Sequence, residues 1–535
     1  MKPAHLLDPT TESLVLNVLD PWEVRDLLPA SKTLAHPDWN VAVHHTLEST
    51  KVLRNLGLDV PAPIRWQYSW PGRFTPYEHQ IQMAEFLTLN RRGFNLSEMG
   101  TMKTNSAIWA ADWLMKTGRV RKALVLSPLS TLQSVWQNDL FETVPYRTAA
   151  ILHGPKERRL KYLGINADWY IMNHDGIKIP EMLEAVMRRP DIDLVVLDEA
   201  GMFRNPSSGK YKALSKLLKG RPDLRFWPMT GTPCPNAPTD AWALARLVSP
   251  ERVPEFAGAF QRETMMKISQ FKWVARHDAY EKAYQAMQPA IRFRKKDCIS
   301  LPPVTTRNHS SDLTKAQAAV VKQLKDHMVA QSSTGATITA ANAADQIGKM
   351  RQALCGALKD PMTNVYYPIP HEPRLKVLRE AIEMASAKVI VVVPFKGIIR
   401  LLEKELTAPA DKKQRAYTCA IVNGDIPMAK RGDIFKAFKT QSDPHVLLCH
   451  PAVMAHGLNL TEADTLIFYA PIYSNDEVEQ VNERFNRAGQ TRPMTIIRIG
   501  AHPLEWAIYK ATDTRKQAQN SILELYNNAI RATDW

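Results

Sequence analysis

The sequence predicts an α/β protein of two lobes, each a parallel β-sheet covered by helices, with helical insertions and a small α/β module in front. Three observations predict it. Short apolar runs bounded by turn or polar residues recur as "KALVLSP" (122–128), "DLVVLDEA" (193–200), "KVIVVVPF" (388–395), "HVLLCHP" (445–451) and "TLIFYAP" (465–471). Runs of this length, rich in Leu and β-branched residues, read as buried strands. Helical stretches such as "KGIIRLLEKEL" separate them, and that alternation is the pattern of parallel sheets with helices on both faces. The runs fall into two groups, and 535 residues at 45% apolar content can supply about three separate cores.

In chain order, residues 1–72 read as a small front module, in which 30–61 has a strand-strand-helix pattern ending in "NLGLDVPAP". "WQYSWPGRFTP" then leads into the first lobe, expected over 73–297. The second lobe is expected over 298–535, with a helical insertion near 314–372. Between the two groups of strands the texture changes. "RETMMKISQFKWVARHDAYEKAYQAM" and "TKAQAAVVKQLKDHMVAQ" read as helical, and "SSTGATITAANAAD" as a loop. No internal repeat is visible.

The formal net charge of +15 and pI of about 9.4 favour a polyanionic partner, for which nucleic acid is the natural candidate. The five cysteines, Cys234, Cys298, Cys355, Cys419 and Cys449, show neither C-x-x-C spacing nor a Cys/His metal pattern, and read as thiols in a reducing compartment. The N-terminus lacks an uninterrupted apolar segment of the signal-peptide kind, and no run approaches the roughly 18 apolar residues of a membrane span. A cytoplasmic protein is expected.

"NLSEMGTMKTNSA" (95–107) comes close to a phosphate-binding loop. That pattern is Gly-x-x-x-x-Gly-Lys-Ser/Thr, because backbone N–H groups wrap a phosphate while the Lys neutralises it and the hydroxyl holds Mg²⁺. Here Lys103 and Thr104 are in place, while Ser97 and Met102 stand in the glycine slots. The strand-like "FNL" precedes the loop and the amphipathic "TNSAIWAADWLMK" follows it, and a helix N-terminus favours anionic phosphate. A second element, "DLVVLDEAGMFRN", puts Asp198 and Glu199 at the carboxyl end of a buried strand. There an Asp can hold the metal and a Glu can polarise an attacking water, the needs of phosphoryl transfer to water; a solvated strand-end turn is the plainer alternative.

"SEMGTMKT", "DEAGMFRN", "MTGTPCPN", "HGLNLTEADTLIFYAP" and "QVNERFNRAGQTRP" occur in that order. They resemble motifs I, II, III, V and VI of the Swi/Snf family of superfamily-two helicase-like ATPases. Including flanking matches, the resemblance covers about 73–503. "FTPYEHQ" resembles the motif that reads adenine, "LSPLSTLQSVWQNDL" motif Ia, "YIMNHDGI" motif Ib and "VVVPFKGIIRLLEKEL" motif IV. "IRFRKKDCISLPPVTTR" is like the basic bridge into the second lobe, and "VNGDIPMAKRGDIFKAF" like the next strand-turn-helix of that lobe.

The resemblance implies two RecA-like lobes, ATP with Mg²⁺, and DNA as partner. It implies catalytic roles for Lys103, Asp198, Glu199, Arg484 and Arg487, with Thr104 and Asp198 on the metal. ATP would be bound by Gln80, Ser97, Gly100, Thr101, Met102, Lys103, Thr104, Gly457 and Gln480. DNA would be gripped through Ser130, Asn173 or His174, Phe395, Asn459 and Thr461, and hydrolysis coupled to movement through Thr230, Gly231 and Thr232. Gln480, Arg484 and Arg487 recur at helical spacing and are expected on one helix face; an exposed salt-bridged helix is the alternative, with Glu479 and Glu483 as partners.

Two departures stand out: Met102 replaces the glycine before the loop Lys, and Gly201 replaces the last residue of the D-E-A-H box. The expected activity is that of a DNA-dependent ATPase acting as translocase or helicase on duplex, forked or junction DNA. A DNA-binding scaffold with a decayed phosphate loop and an RNA helicase are the alternatives. "RAGQ" at the end of motif VI lacks the third Arg of the RNA-directed DEAD-box pattern. The front module resembles the recognition module of annealing helicases of this family, with a capping element as the alternative.

Overall fold

The computed structural model describes residues 5–8, 12–234, 237–269, 272–298, 301–327, 329–331, 337–339, 343–409, 414–454, 460–487 and 489–514. The chain divides into two compact units, one over Met1–Cys298 and one over Ile299–Gln517.

The first unit is built on a five-stranded parallel sheet in the order Arg225–Pro228, Ile192–Leu197, Lys122–Ser127, Trp169–Asn173, Ala149–Leu152. Single parallel bridges from Arg92 to Phe226 and from Asn95 to Met229 attach the short strand Phe94–Asn95 beside Arg225–Pro228. That strand pairs in parallel with Ala290–Ile291. The central strands are apolar on both faces, as burial on both sides requires: Leu124, Val125, Leu126, Val195, Val196 and Leu197 are all fully buried. Strand order is set by crossovers, so the carboxyl ends of Phe94–Asn95, Arg225–Pro228 and Ile192–Leu197 lie side by side although far apart in sequence.

The front module is a four-stranded antiparallel sheet in the order His5–Asp8, Ser13–Leu16, Val41–His44, Lys32–Thr33, with helices Pro21–Leu27 and Leu47–Asn55. It is part of the first unit and packs onto the lobe that carries the five-stranded sheet. Arg119 donates to both carboxylate oxygens of Glu48 at 2.7 and 2.9 Å. The Ala62 amide donates to buried Glu85 at 2.7 Å. Buried Asp112 then collects Tyr68, Tyr146 and Arg147, each at 2.6 Å, which fixes the connection into the lobe.

The segment expected to be helical from 262 to 287 is a β-hairpin followed by a helix. Met265–Ser269 pairs antiparallel with Lys272–Ala275, and the helix Ala279–Ala286 comes after. The physical reason is that Met266 and Ile268 alternate along the first strand and Val274 pairs across from Met266, while β-branched and aromatic residues such as Ile268, Trp273 and Val274 suit a pleated strand better than a helix face. Part of "SSTGATITAANAAD" lies outside the described residues; within it, Thr337–Thr339 pairs antiparallel with Val329–Gln331.

The second unit has a six-stranded parallel sheet in the order Val304–Ser310, Met494–Gly500, Ala463–Phe468, Lys388–Val392, Val446–Cys449, Cys419–Val422. At its centre Arg374, on the helix Glu372–Glu383, is fully buried with Glu505 at 2.8 Å. The guanidinium also donates to the Ile499 carbonyl at 3.2 Å and to that of Tyr469, so one ion pair ties a helix to the ends of two strands. Glu505 in turn accepts from the Ala501 amide at 2.8 Å.

Among the described residues the five cysteines are free, and no cluster of three His, Cys, Asp or Glu could hold a metal. No helix among them is long and apolar enough to cross a membrane.

Candidate nucleotide site

The loop that joins Phe94–Asn95 to the helix Lys103–Lys116 carries its strain where the sequence departs from the glycine pattern. Gly100 has φ +80°. Met102, the residue that caps the helix, is left-handed with φ 58° and ψ 41°. The backbone therefore takes the turn that a glycine would take freely, and a side chain there costs roughly 1–3 kcal/mol. Met is unbranched, which keeps the steric part of that cost low. No side chain caps this helix, so its first N–H groups point into the loop.

Lys103 is held over the loop by the carbonyls of Ser97 at 2.7 Å and Glu98 at 2.9 Å. Thr101 Oγ1 donates to the Glu98 carbonyl at 2.8 Å. Gln80 is buried beneath: its Nε2 donates to the Met102 carbonyl at 3.4 Å and its Oε1 accepts from the Tyr77 amide at 3.0 Å. His79 supports the same turn, its Nε2 donating to the Thr101 carbonyl at 3.2 Å; burial lowers the imidazole's pKa, which favours the neutral ring.

The floor of the loop comes from residues the motif pattern does not name. Arg292 is buried and donates to Glu98 at 2.9 Å and to the Leu96 carbonyl at 2.8 Å. The Lys295 amide donates to the other Glu98 oxygen at 2.9 Å, and the Phe293 amide to Ser97 Oγ at 3.1 Å. Ser97 thus faces inward as a strut. Sequence reading placed "IRFRKK" in a basic bridge between lobes; nothing in the string marks one Arg as buried under a loop 190 residues earlier.

Asp198 and Glu199 follow the strand Ile192–Leu197 directly. Trp136 Nε1 donates to one Asp198 oxygen at 2.9 Å and the Glu199 amide to the other at 3.0 Å, which fixes the carboxylate. Glu199 is left-handed at φ 49°, a sharp turn off the strand. The Ala200 amide donates to the Met229 carbonyl at 2.9 Å, so this turn is tied to the start of the Thr230 segment. Thr230 in turn donates from its amide to the Asn95 carbonyl at 3.1 Å, and its Oγ1 accepts from the Thr232 amide at 3.2 Å. A β-carbon on Gly231 would stand 3.1 Å from the Met99 nitrogen, so a side chain there would push the Thr230 segment and the phosphate loop apart by a few tenths of an ångström. Three segments far apart in sequence, at 95–103, 198–199 and 230–232, are thereby brought together at neighbouring strand ends.

The expected nucleic-acid contacts divide. Ser130, Phe395 and Thr461 are half-buried. Asn173 and His174 are buried struts: Asn173 accepts from Arg159 at 2.8 Å, and His174 Nε2 donates to the Asp198 carbonyl at 2.8 Å. Both were expected near a phosphate backbone, and in the structure both side chains bond within the lobe. Gly457 and Asn459 lie outside the described residues.

In the second unit Gln480 and Arg484 lie on the helix Asn475–Phe485. Arg487 lies beyond its end, which corrects the expectation of one shared helix face. Asn486 turns off at φ −94°, ψ 88°, and buried Gln490 then holds the following turn by donating to the Ala463 carbonyl at 2.9 Å.

A lysine-bearing loop at a helix N-terminus, beside strands ending in an acid pair and a Thr-Gly-Thr turn, with a second parallel-sheet unit after it, is the layout of RecA-like nucleotide-handling cores. Within that class the chain belongs to the SNF2-related family: the SNF2-related domain matches residues 79–357 and the helicase conserved C-terminal domain residues 373–489. It is 24% identical over 413 residues to an uncharacterized ATP-dependent helicase of Mycoplasma genitalium, covering 76% of this chain and 38% of that one. It is 22% identical over 484 residues to protein p41 of Acyrthosiphon pisum secondary endosymbiont phage 1, covering 84% and 98%. Among solved structures it resembles the Sulfolobus solfataricus SWI2/SNF2 ATPase core in complex with dsDNA, at 19% identity and TM-score 0.40, covering 87% and 96%. The chain spans 38% or less of the length of the first curated relatives it matches.

Met102→Gly relieves the left-handed strain and leaves the turn unchanged. ATP turnover is expected to stay within about tenfold of the parent, with any gain read mainly as tighter ATP binding, since about 1.4 kcal/mol is tenfold. Steady-state kinetics with a titration of ATP check this.

Proposed function

We propose that this chain is an ATP-dependent motor that grips duplex, forked or junction DNA with little regard to sequence and hydrolyses ATP as it moves along the backbone. The observation that carries the reading is the convergence of the Lys103 loop, the Asp198–Glu199 turn and the Thr230 segment at neighbouring strand ends, with Gly231 against Met99. The net charge of +15 and relatives named as ATP-dependent helicases support it. Relatives in bacteria and in a phage fit work in replication, repair or recombination in the cytoplasm of a bacterium or an infected cell.

In this reading Lys103 neutralises the phosphates wrapped by the backbone of Gly100, Thr101 and Met102, and Glu199 orients the attacking water. Asp198 offers a carboxylate at the strand end, the kind of oxygen ligand that Mg²⁺ takes. Thr104 and Asp198 would therefore hold Mg²⁺, which when bound offsets phosphate charge. Gln80 would help to bind ATP from the first unit, and Gly457, Gln480, Arg484 and Arg487 of the second unit would take the roles in hydrolysis that their motifs imply. Ser97 acts as a strut under the loop. Ser130, Phe395, Asn459 and Thr461 would contact DNA phosphates, and Asn173 and His174 would support the Ser130 side of that grip. Thr230, Gly231 and Thr232 carry the state of the loop to the rest of the lobe.

A second reading, a DNA-binding scaffold that no longer turns over ATP, is favoured by the left-handed Met102. Hydrolysis rates with duplex DNA, single-stranded DNA and RNA separate the readings. Duplex DNA should stimulate most; greatest stimulation by RNA points to an RNA helicase, and binding without turnover to the scaffold. DNA affinity should also fall steeply between about 50 and 200 mM salt, by about three orders of magnitude if six or more phosphates are gripped. A shallow salt dependence with preference for one base sequence contradicts a backbone-tracking motor.

A further inference from the structure

Gly201 is the chain's departure from the acid-box pattern, and its backbone does not demand a glycine, since its φ lies outside the left-handed range. What fills the space of a side chain there is a neighbour. A β-carbon built on Gly201 would stand 2.3 Å from Arg204 Nη2 and 3.1 Å from both Cζ and Nε, so the Arg204 guanidinium occupies the space beside the glycine. Arg204 itself is half-buried and leaves the short helix Ala200–Phe203, its amide donating to the Gly201 carbonyl at 3.3 Å. Burial pushes the buried Cys234 thiol well up, the charge of Asp240 adds to that, and the charge of Arg204 acts in the opposite direction. Cys234 comes two residues after Thr232, and the turn that bears Glu199 is already joined to this segment through the Ala200 amide and the Met229 carbonyl. Phe203, next to Arg204, packs edge-on against His174, which holds the Asp198 carbonyl.

We propose that Arg204 is a positioning residue for hydrolysis, its guanidinium taking the place that Gly201 leaves open and so bracing the turn that bears Glu199. The role rests on the motor function proposed above. A long, planar, permanently charged side chain reached from three residues later does the bracing, in place of a side chain at position 201 itself. It acts through Glu199 and makes no claim on ATP.

The test uses the full chain and reads kcat, KM for ATP and the melting temperature of Arg204→Ala, Gly201→Ala and the double variant, with duplex DNA present. Arg204→Ala should lower kcat about tenfold or more while KM stays within about twofold, because a misplaced reacting group costs rate rather than binding. Gly201→Ala needs only the end of a flexible side chain to move, so its melting temperature should match the parent's while kcat falls as in Arg204→Ala. The double variant should be no slower than Arg204→Ala alone, since both changes break one contact. A kcat that is unchanged in Arg204→Ala, or losses that multiply in the double variant, would overturn the role of Arg204 alone. A parent chain that shows no DNA-stimulated turnover would overturn the motor reading and this role with it.

Discussion

Lys103→Ala and Glu199→Gln each reduce DNA-stimulated ATP hydrolysis by at least about a hundredfold, and only Glu199→Gln retains substantial ATP binding. The two differ because the side chains do different work. Lys103 is pinned by the Ser97 and Glu98 carbonyls at 2.7 and 2.9 Å, so its loss removes the phosphate's countercharge and also leaves two loop carbonyls without their donor. Glu199 sits on a left-handed turn whose amide is tied to Asp198, so Gln keeps the backbone and the size of the side chain and loses only the charged acceptor that orients water. Hydrolysis assays together with equilibrium binding of a fluorescent ATP analogue check both halves. Turnover at the parent rate in Glu199→Gln would remove this acid pair from the mechanism.

Arg374→Met has the largest expected effect on stability, a loss of about 3–5 kcal/mol, because it leaves Glu505 charged and fully buried without its partner. The carbonyls of Tyr469 and Ile499 lose a donor at the same time. Replacing both members, as Arg374→Met with Glu505→Leu, should cost less than the single change, since no uncompensated charge remains. Calorimetric unfolding of the second unit is the measurement. Equal melting temperatures for parent and Arg374→Met would show that the pair contributes little.

The central strands were legible because burial on both faces writes itself as a continuous apolar run: "LVVL" and "VIVVV" admit few other readings. The strand Val304–Ser310 was not, because it lies at a sheet edge and reads "VTTRNHS", with six of its seven residues exposed. An edge strand needs only one apolar neighbour and can be polar along its length. The hairpin Met265–Ser269 with Lys272–Ala275 was mistaken for helix because charged residues interrupt its alternation. At the site, the loop, the acid pair and the Thr-Gly-Thr turn were legible as local strings, since each has fixed spacing. Their support was not. Arg292 under Glu98, Trp136 on Asp198 and His174 on the Asp198 carbonyl are long-range pairings that leave no local mark. The separation of Arg487 from the helix of Arg484 turns on a helix end at Phe485, and helix ends are the least certain part of any periodic pattern.

The central claim is that a phosphate loop with Met102 in the left-handed position is a working ATP site driven by DNA. The most direct measurement is the steady-state rate of ATP hydrolysis by the full chain with and without linear duplex DNA, for the parent and for Met102→Gly side by side. The account predicts strong stimulation by duplex DNA in both, with turnovers within about tenfold of each other. A parent that binds DNA but shows no stimulated hydrolysis, with Met102→Gly switching hydrolysis on, would contradict it.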